Sequence, residues 1–117
     1  MTDNVNHPSH YTQAAAQIEP IDVLRYAPFC IGNCLKYVIR AGHKGDALED
    51  WRKAQLYYMW ATENLIQTEE FLLNYATLLV KFDRLSLLRT APSQFLDDLK
   101  TMIGGNIRAL EAECTRN

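Results

Sequence analysis

The chain has 117 residues, 48% of them hydrophobic, with 12 Lys and Arg against 14 Asp and Glu. That is enough for one domain with a real core, too little for two, and too apolar for disorder throughout. A net charge of −2 argues against general nucleic-acid binding, and no apolar run reaches the roughly 18 residues of a membrane span.

The opening MTDNVNHPSH lacks the pattern of a secretory signal. Three cysteines, odd in number, suit reduced thiols in a cytosol. The charge is uneven: all three histidines fall within residues 1–45, and no acid lies between Asp22 and Asp46. An anionic ligand would be met by that N-terminal part.

Residues 1–17 read as an extended or irregular lead. A short helix is expected from Pro20, a favourable first-turn proline, with Ile21, Leu24 and Ala27 on one side and Pro28 as its stop. A second helix is expected over about 31–41, apolar through Ile31, Leu35, Val38 and Ile39, with Asn33, Lys36 and Arg40 on another face. In the turn AGHKGD, Gly42 stands where a C-terminal capping glycine belongs. Asp46 and Glu49 form a capping-box pattern for a third helix to about residue 66, burying Trp51, Ala54, Tyr58, Ala61 and Leu65 and showing Asp50, Lys53 and Tyr57 outward.

Thr68 offers a fresh cap for a fourth helix over about 69–89, the alternative being one continuous helix through 46–89. The stripe Phe71, Tyr75, Leu78, Phe82 and Leu85 suits either a partner helix in a symmetric homo-oligomer or a central position in the bundle. A last helix is expected over about 94–113, kinked or split at Gly104-Gly105. No strand-like alternation occurs, so the expected fold is an all-α bundle of about five helices in a single domain.

Two constellations carry chemistry. His7, His10, Cys30 and Cys34 have zinc-compatible spacings, yet cysteines four apart on a helix serve equally as small buried hydrophobes, and zinc is not favoured. A disulfide between them would strain against helix geometry. Asn33, Lys36 and Arg40, followed by His43, Lys44 and two glycines, form a basic face beside a turn able to aim amides at phosphate. A solvated charged face is the competing reading, and no Walker A loop is present. Glu19 and Asp22 suit either a magnesium–phosphate unit or a first-turn acidic pair.

Taken together, VNHPSHYT, IEPIDVLRY, GNCLKYVIRAGHKGD and LEDWRKAQLYY resemble, in order and spacing, a family of small tailed-bacteriophage proteins catalogued as a domain of unknown function. Its pattern runs H-P-x-H-Y, E-x-x-D, G-N-x-x-K-Y-x-x-R-x-x-x-K and D-x-x-K-A-x-x-Y. The matching positions are His7, Pro8, His10 and Tyr11, then Glu19 and Asp22, then Gly32, Asn33, Lys36, Tyr37, Arg40 and Lys44, and finally Asp50, Lys53, Ala54 and Tyr57. The resemblance covers about residues 4–66. Cys30 and Cys34 are not part of the pattern.

One branch resembles an early nucleoside-monophosphate kinase without a P-loop. Other members are phage early proteins, some of them linked to sensing by abortive-infection defences. The resemblance implies a nucleotide site built from His7, His10, Tyr11, Asn33, Lys36, Tyr37, Arg40 and Lys44, with Lys36, Arg40 and His10 acting in catalysis. Mg²⁺ would be held through water by Glu19 and Asp22. The location implied is the host cytoplasm. The alternative is a non-enzymatic protein that binds a host or defence protein.

Overall fold

The computed structural model describes residues 18–116, and all the regular structure among them is helical. His7, His10 and Tyr11 lie outside the described residues. The helices are α1 (Pro20–Leu24), α2 (Phe29–Arg40), α3 (Ala47–Glu63), α4 (Leu65–Leu79) and α5 (Pro92–Arg116), with a 3-10 turn at Leu85–Leu87. None is long and apolar enough to cross a membrane among the described residues.

α2 and α3 form an antiparallel hairpin, the most extensively packed pair, and α5 lies against both α3 and α4. The core takes Ile31, Leu35 and Val38 from α2, Trp51, Ala54 and Ala61 from α3, Phe71, Leu72, Ala76 and Leu79 from α4, and Phe95, Leu99 and Ile103 from α5. In α1 Val23 is buried and Leu24 packs partly against the core, whereas Ile21 is exposed. Ile21, Leu24 and Ala27 share the expected side, which lines the groove against α2.

The turn between α2 and α3 follows its local signals. Gly42 has φ 85° just past the helix end and Gly45 has φ 72°, values that favour glycine. Asp46 Oδ1 accepts from the amides of Leu48 (3.0 Å) and Glu49 (3.3 Å). Glu49 turns its carboxylate to Lys53, 3.9 Å away.

Four expectations need correction. The break between α3 and α4 is Asn64 (φ −121°, ψ 66°), so the two are separate helices and Thr68 is not a cap. Thr68 is buried inside α4 and donates its hydroxyl to the Ala61 carbonyl at 2.8 Å. Leu65 is accordingly outside α3 and exposed.

α4 ends at Leu79, not near residue 89. Phe82, Leu85 and Leu88 are buried from the loop that follows. Within the proposed oligomer stripe, Phe71, Phe82 and Leu85 are therefore used up inside the chain, which is the central-packing alternative.

Third, α5 begins at Pro92, a first-turn proline, and runs 25 residues through Gly104-Gly105 without a split. Burial of Leu99, Ile103 and Ile107 outweighs the roughly 1 kcal/mol propensity cost of each glycine. The last correction is Asp50, which is buried, not outward.

Arg84 ties the C-terminal half to the hairpin. It lies in the loop after α4 with φ 75° and ψ −44°, and its Nη1 donates to the carbonyls of Val38 and Ala41 at the end of α2. The guanidinium also sits 5.1 Å from the centre of the Trp51 ring.

Candidate functional site

The outer face of the α2–α3 hairpin gathers most of the described basic residues singled out by sequence. Positions 33, 36, 37 and 40 share one side of α2 because they recur at helical spacing. Lys53 and Tyr57, four apart on α3, meet them across the hairpin. Tyr37 is the centre: Lys36 Nζ lies 4.8 Å, Lys53 Nζ 5.5 Å and the Arg40 guanidinium 5.9 Å from its ring centroid. The Tyr57 ring stacks on Tyr37 at 6.0 Å with a 9° interplanar angle. Three cations around one half-buried ring repel each other, and the ring's negative face offsets only part of that repulsion. Asp50, 3.4 Å from Arg40, and Glu49, 3.9 Å from Lys53, offset more of it, and Lys36 has no acidic partner among the described residues.

Arg40 is anchored from beneath. Its Nε lies 3.4 Å from Asp50 Oδ2, the arginine side chain being 45% exposed and the aspartate side chain 3%. Among the described residues Asp50 Oδ2 is a buried oxygen with no hydrogen-bond partner, and this ion pair is what compensates it. A Cβ on Gly45 would lie 3.7 Å from Arg40 Nη2, which places the guanidinium against the glycine turn. Lys44 and His43 are exposed in that turn.

The remaining predicted residues are less involved. Asn33 is half-buried and donates its amide to the Phe29 carbonyl at 2.8 Å. Asp22 accepts the Glu19 amide at 2.9 Å, closing a capping box at the start of α1. The groove between α1 and α2, about 460 Å³, runs from Pro20 and Ile21 to Phe29, Asn33 and Lys36 without either carboxylate lining it. Cys34 is enclosed in the core, where burial pushes its thiol well above the ordinary range, and Cys30 is half-buried. In this position Cys34 serves as a small buried hydrophobe in the core.

Sequence reasoning missed Asp50 as Arg40's anchor, and the rings that continue the face. Phe29 meets Tyr57 edge-on at 5.9 Å and 71°, and Trp60 meets Tyr57 at 5.5 Å and 82°. The helical offsets of Lys53, Tyr57 and Trp60 were visible, but only the paired helices put them beside α2. A separate cleft of about 410 Å³ between α3 and α5, lined by Tyr58, Thr62, Glu63 and Lys100 among others, includes none of the predicted residues. There Tyr58 donates to the Leu96 carbonyl at 2.9 Å, and burial, then Asp97 and Cys34, raise its phenol pKa.

Residues 5–59 match the model of a family described as a protein of unknown function, DUF3310. The match takes in α1, α2 and α3 as far as Met59, and so every cation around Tyr37. No curated protein and no solved structure matches the chain.

Proposed function

We propose that the chain is a phage early protein that binds a nucleotide through its phosphates on the α2–α3 face, and that it transfers a phosphoryl group to a nucleoside monophosphate. The observation that carries this reading is the convergence of Lys36, Arg40 and Lys53 around the Tyr37 ring. Phosphoryl transfer needs positioning and positive charge more than covalent help from protein groups. Lys36 and Lys53 supply mobile point charges, Arg40 a guanidinium anchored by Asp50, and Lys44 a further cation in the adjoining turn. His7, His10 and Tyr11 would close the site from the N-terminal segment, with His10 serving the transfer.

Magnesium enters this proposal on the nucleotide's phosphates, where it neutralises charge. The Glu19–Asp22 pair fits a resident metal poorly, because Asp22 already accepts the Glu19 amide, so no step is routed through it. The host cytoplasm is the compartment where such a protein would meet its substrates.

The test is calorimetry and product analysis with ATP, Mg²⁺ and each deoxynucleoside monophosphate. Binding and diphosphate formation that weaken in Lys36→Ala, and in the charge-paired Arg40→Ala/Asp50→Asn variant, support the proposal. No binding of any nucleotide by the wild-type chain sinks it.

A second reading has its own observation. Ile66 and Leu73, 85% and 74% exposed, flank a surface groove with Pro92, which favours a protein contact on α4, with a second copy or with a host or defence protein. Light scattering that gives the mass of one chain, with no host protein retained in a pull-down, rejects it.

A further inference from the structure

Four aromatic rings occupy the outer face of the hairpin, and two of them are open to water. Phe29 is 71% exposed and Trp60 44%, in a chain whose core holds Phe71, Phe82 and Phe95 away from solvent. Both meet Tyr57 nearly at right angles, at 71° and 82°. Tyr57 gives one face to Tyr37 and backs the other two rings, so the ring surface on which a planar ligand can stack is that of exposed Phe29 and Trp60. Leu56, one turn before Trp60 on α3, is an exposed apolar neighbour without hydrogen-bonding edges.

The rings are continuous with the cations. On α2, Phe29 and Arg40 stand at opposite ends of one stripe, about 16 Å apart along the helix axis. α3 runs back alongside, with Lys53 near the charged end and Tyr57 and Trp60 towards the aromatic end. Tyr37 joins the two, stacked on Tyr57 and bordered by Lys36 and Lys53. A ligand matched to this strip has an anionic end and a flat, apolar-faced end within one small molecule.

We infer that Phe29, Tyr57 and Trp60 form a nucleobase-stacking subsite for the ligand whose phosphates rest on Lys36, Arg40 and Lys53. The inference rests on the nucleotide reading above and deepens it by assigning the base end. Because stacking uses the π-face that every base has, the subsite discriminates little between bases and favours purines only through their larger area. Base identity, where it is read, is read elsewhere.

The experiment compares adenosine 5′-monophosphate with ribose 5-phosphate on the full chain, by calorimetry and by tryptophan fluorescence. Trp51 is buried and Trp60 is not, so a collisional quencher reports on Trp60. The expected result is that the nucleotide binds at least about tenfold more tightly than the sugar phosphate and shields Trp60 from the quencher. Trp60→Ala and Phe29→Ala, both at exposed positions, each lower nucleotide affinity about tenfold and leave sugar-phosphate affinity unchanged, with unaltered circular dichroism.

Equal binding of the two ligands, indifferent to Trp60→Ala, overturns the stacking subsite while the phosphate site stands. Binding of neither ligand defeats the nucleotide reading and the subsite with it. Shielding of Trp60 that rises with protein concentration, without ligand, assigns the rings to a contact between copies and also overturns the inference.

Discussion

Replacing Arg84 tests how the two halves of the chain are joined. Its Nη1 donates to the Val38 and Ala41 carbonyls, and its guanidinium rests 5.1 Å from the Trp51 ring centre. A hydrogen bond from a charged donor contributes about 1.5 kcal/mol at the low end, and a cation–π contact at a half-exposed site about 0.5–1 kcal/mol. Arg84→Ala is therefore expected to cost about 3 kcal/mol, since it also leaves two carbonyls at the helix end without this donor. The backbone works in the other direction. A φ of 75° with ψ −44° is close to a γ-turn geometry that costs a residue with a Cβ about 1–3 kcal/mol. Glycine escapes that strain but gains unfolded-state entropy, about 0.4–1 kcal/mol. Arg84→Gly should thus be more stable than Arg84→Ala by about 1 kcal/mol, although both lack the side chain. Urea denaturation of the three proteins measures this directly. An Arg84→Ala loss under about 0.5 kcal/mol, or a glycine variant less stable than the alanine one, refutes the clasp or the strain respectively.

The Arg40–Asp50 pair should behave asymmetrically: Arg40→Ala strands a buried carboxylate and costs about 3 kcal/mol despite the arginine's exposure, while Arg40→Ala/Asp50→Asn recovers most of that loss in a denaturation cycle. Asp98 is lowered to about 2 by hydrogen bonds from the Arg89 side chain and then its backbone amide. Its contribution is present above the ordinary carboxylate pKa of about 4 and lost as pH falls towards the folded value, so Asp98→Asn should flatten melting temperature against pH in that window. With a thiol reagent, exposed Cys114 should label first and half-buried Cys30 more slowly. Cys34, buried and with its thiol pushed up, should label only on unfolding; rapid labelling of two or more thiols in the native protein contradicts the packing.

What was legible in the sequence is what short-range chemistry decides. The apolar spacing of Ile31, Leu35 and Val38, the glycine after α2 and the Asp46 cap all act within a few residues, and all appear where they were expected. So does the sharing of one face by Asn33, Lys36 and Arg40. The misplaced features depend on partners far along the chain. Thr68 looks like a cap but is recruited to the Ala61 carbonyl, and Asn64 takes the break. Gly104 and Gly105 look like a split, yet their neighbours Ile103 and Ile107 are held by the core. Asp50 has the polarity of a surface residue and is buried because Arg40 closes over it from the preceding helix. Arg84, the donor to the end of α2, has no local signature at all.

How much of the basic cluster does the fold itself require? The C-terminal end of α2 carries partial negative charge from its free carbonyls, which favours a cation in the last turn. Arg40 occupies that turn, and Arg84 binds two of the carbonyls. Arg40 also answers the buried Asp50. These two arginines thus have structural work that needs no ligand. Lys36 and Lys53 are different. Lys36 sits a full turn before the helix end and forms no ion pair among the described residues, and Lys53 has only a long contact to exposed Glu49, 3.9 Å, of the kind that contributes little in water. Both nevertheless lie over the same Tyr37 ring, on neighbouring helices, at 4.8 and 5.5 Å. Neither helix capping nor core packing requires that pairing of like charges. This surplus makes Lys36 and Lys53, more than the arginines, the substitutions most able to separate the proposed phosphate binding from folding.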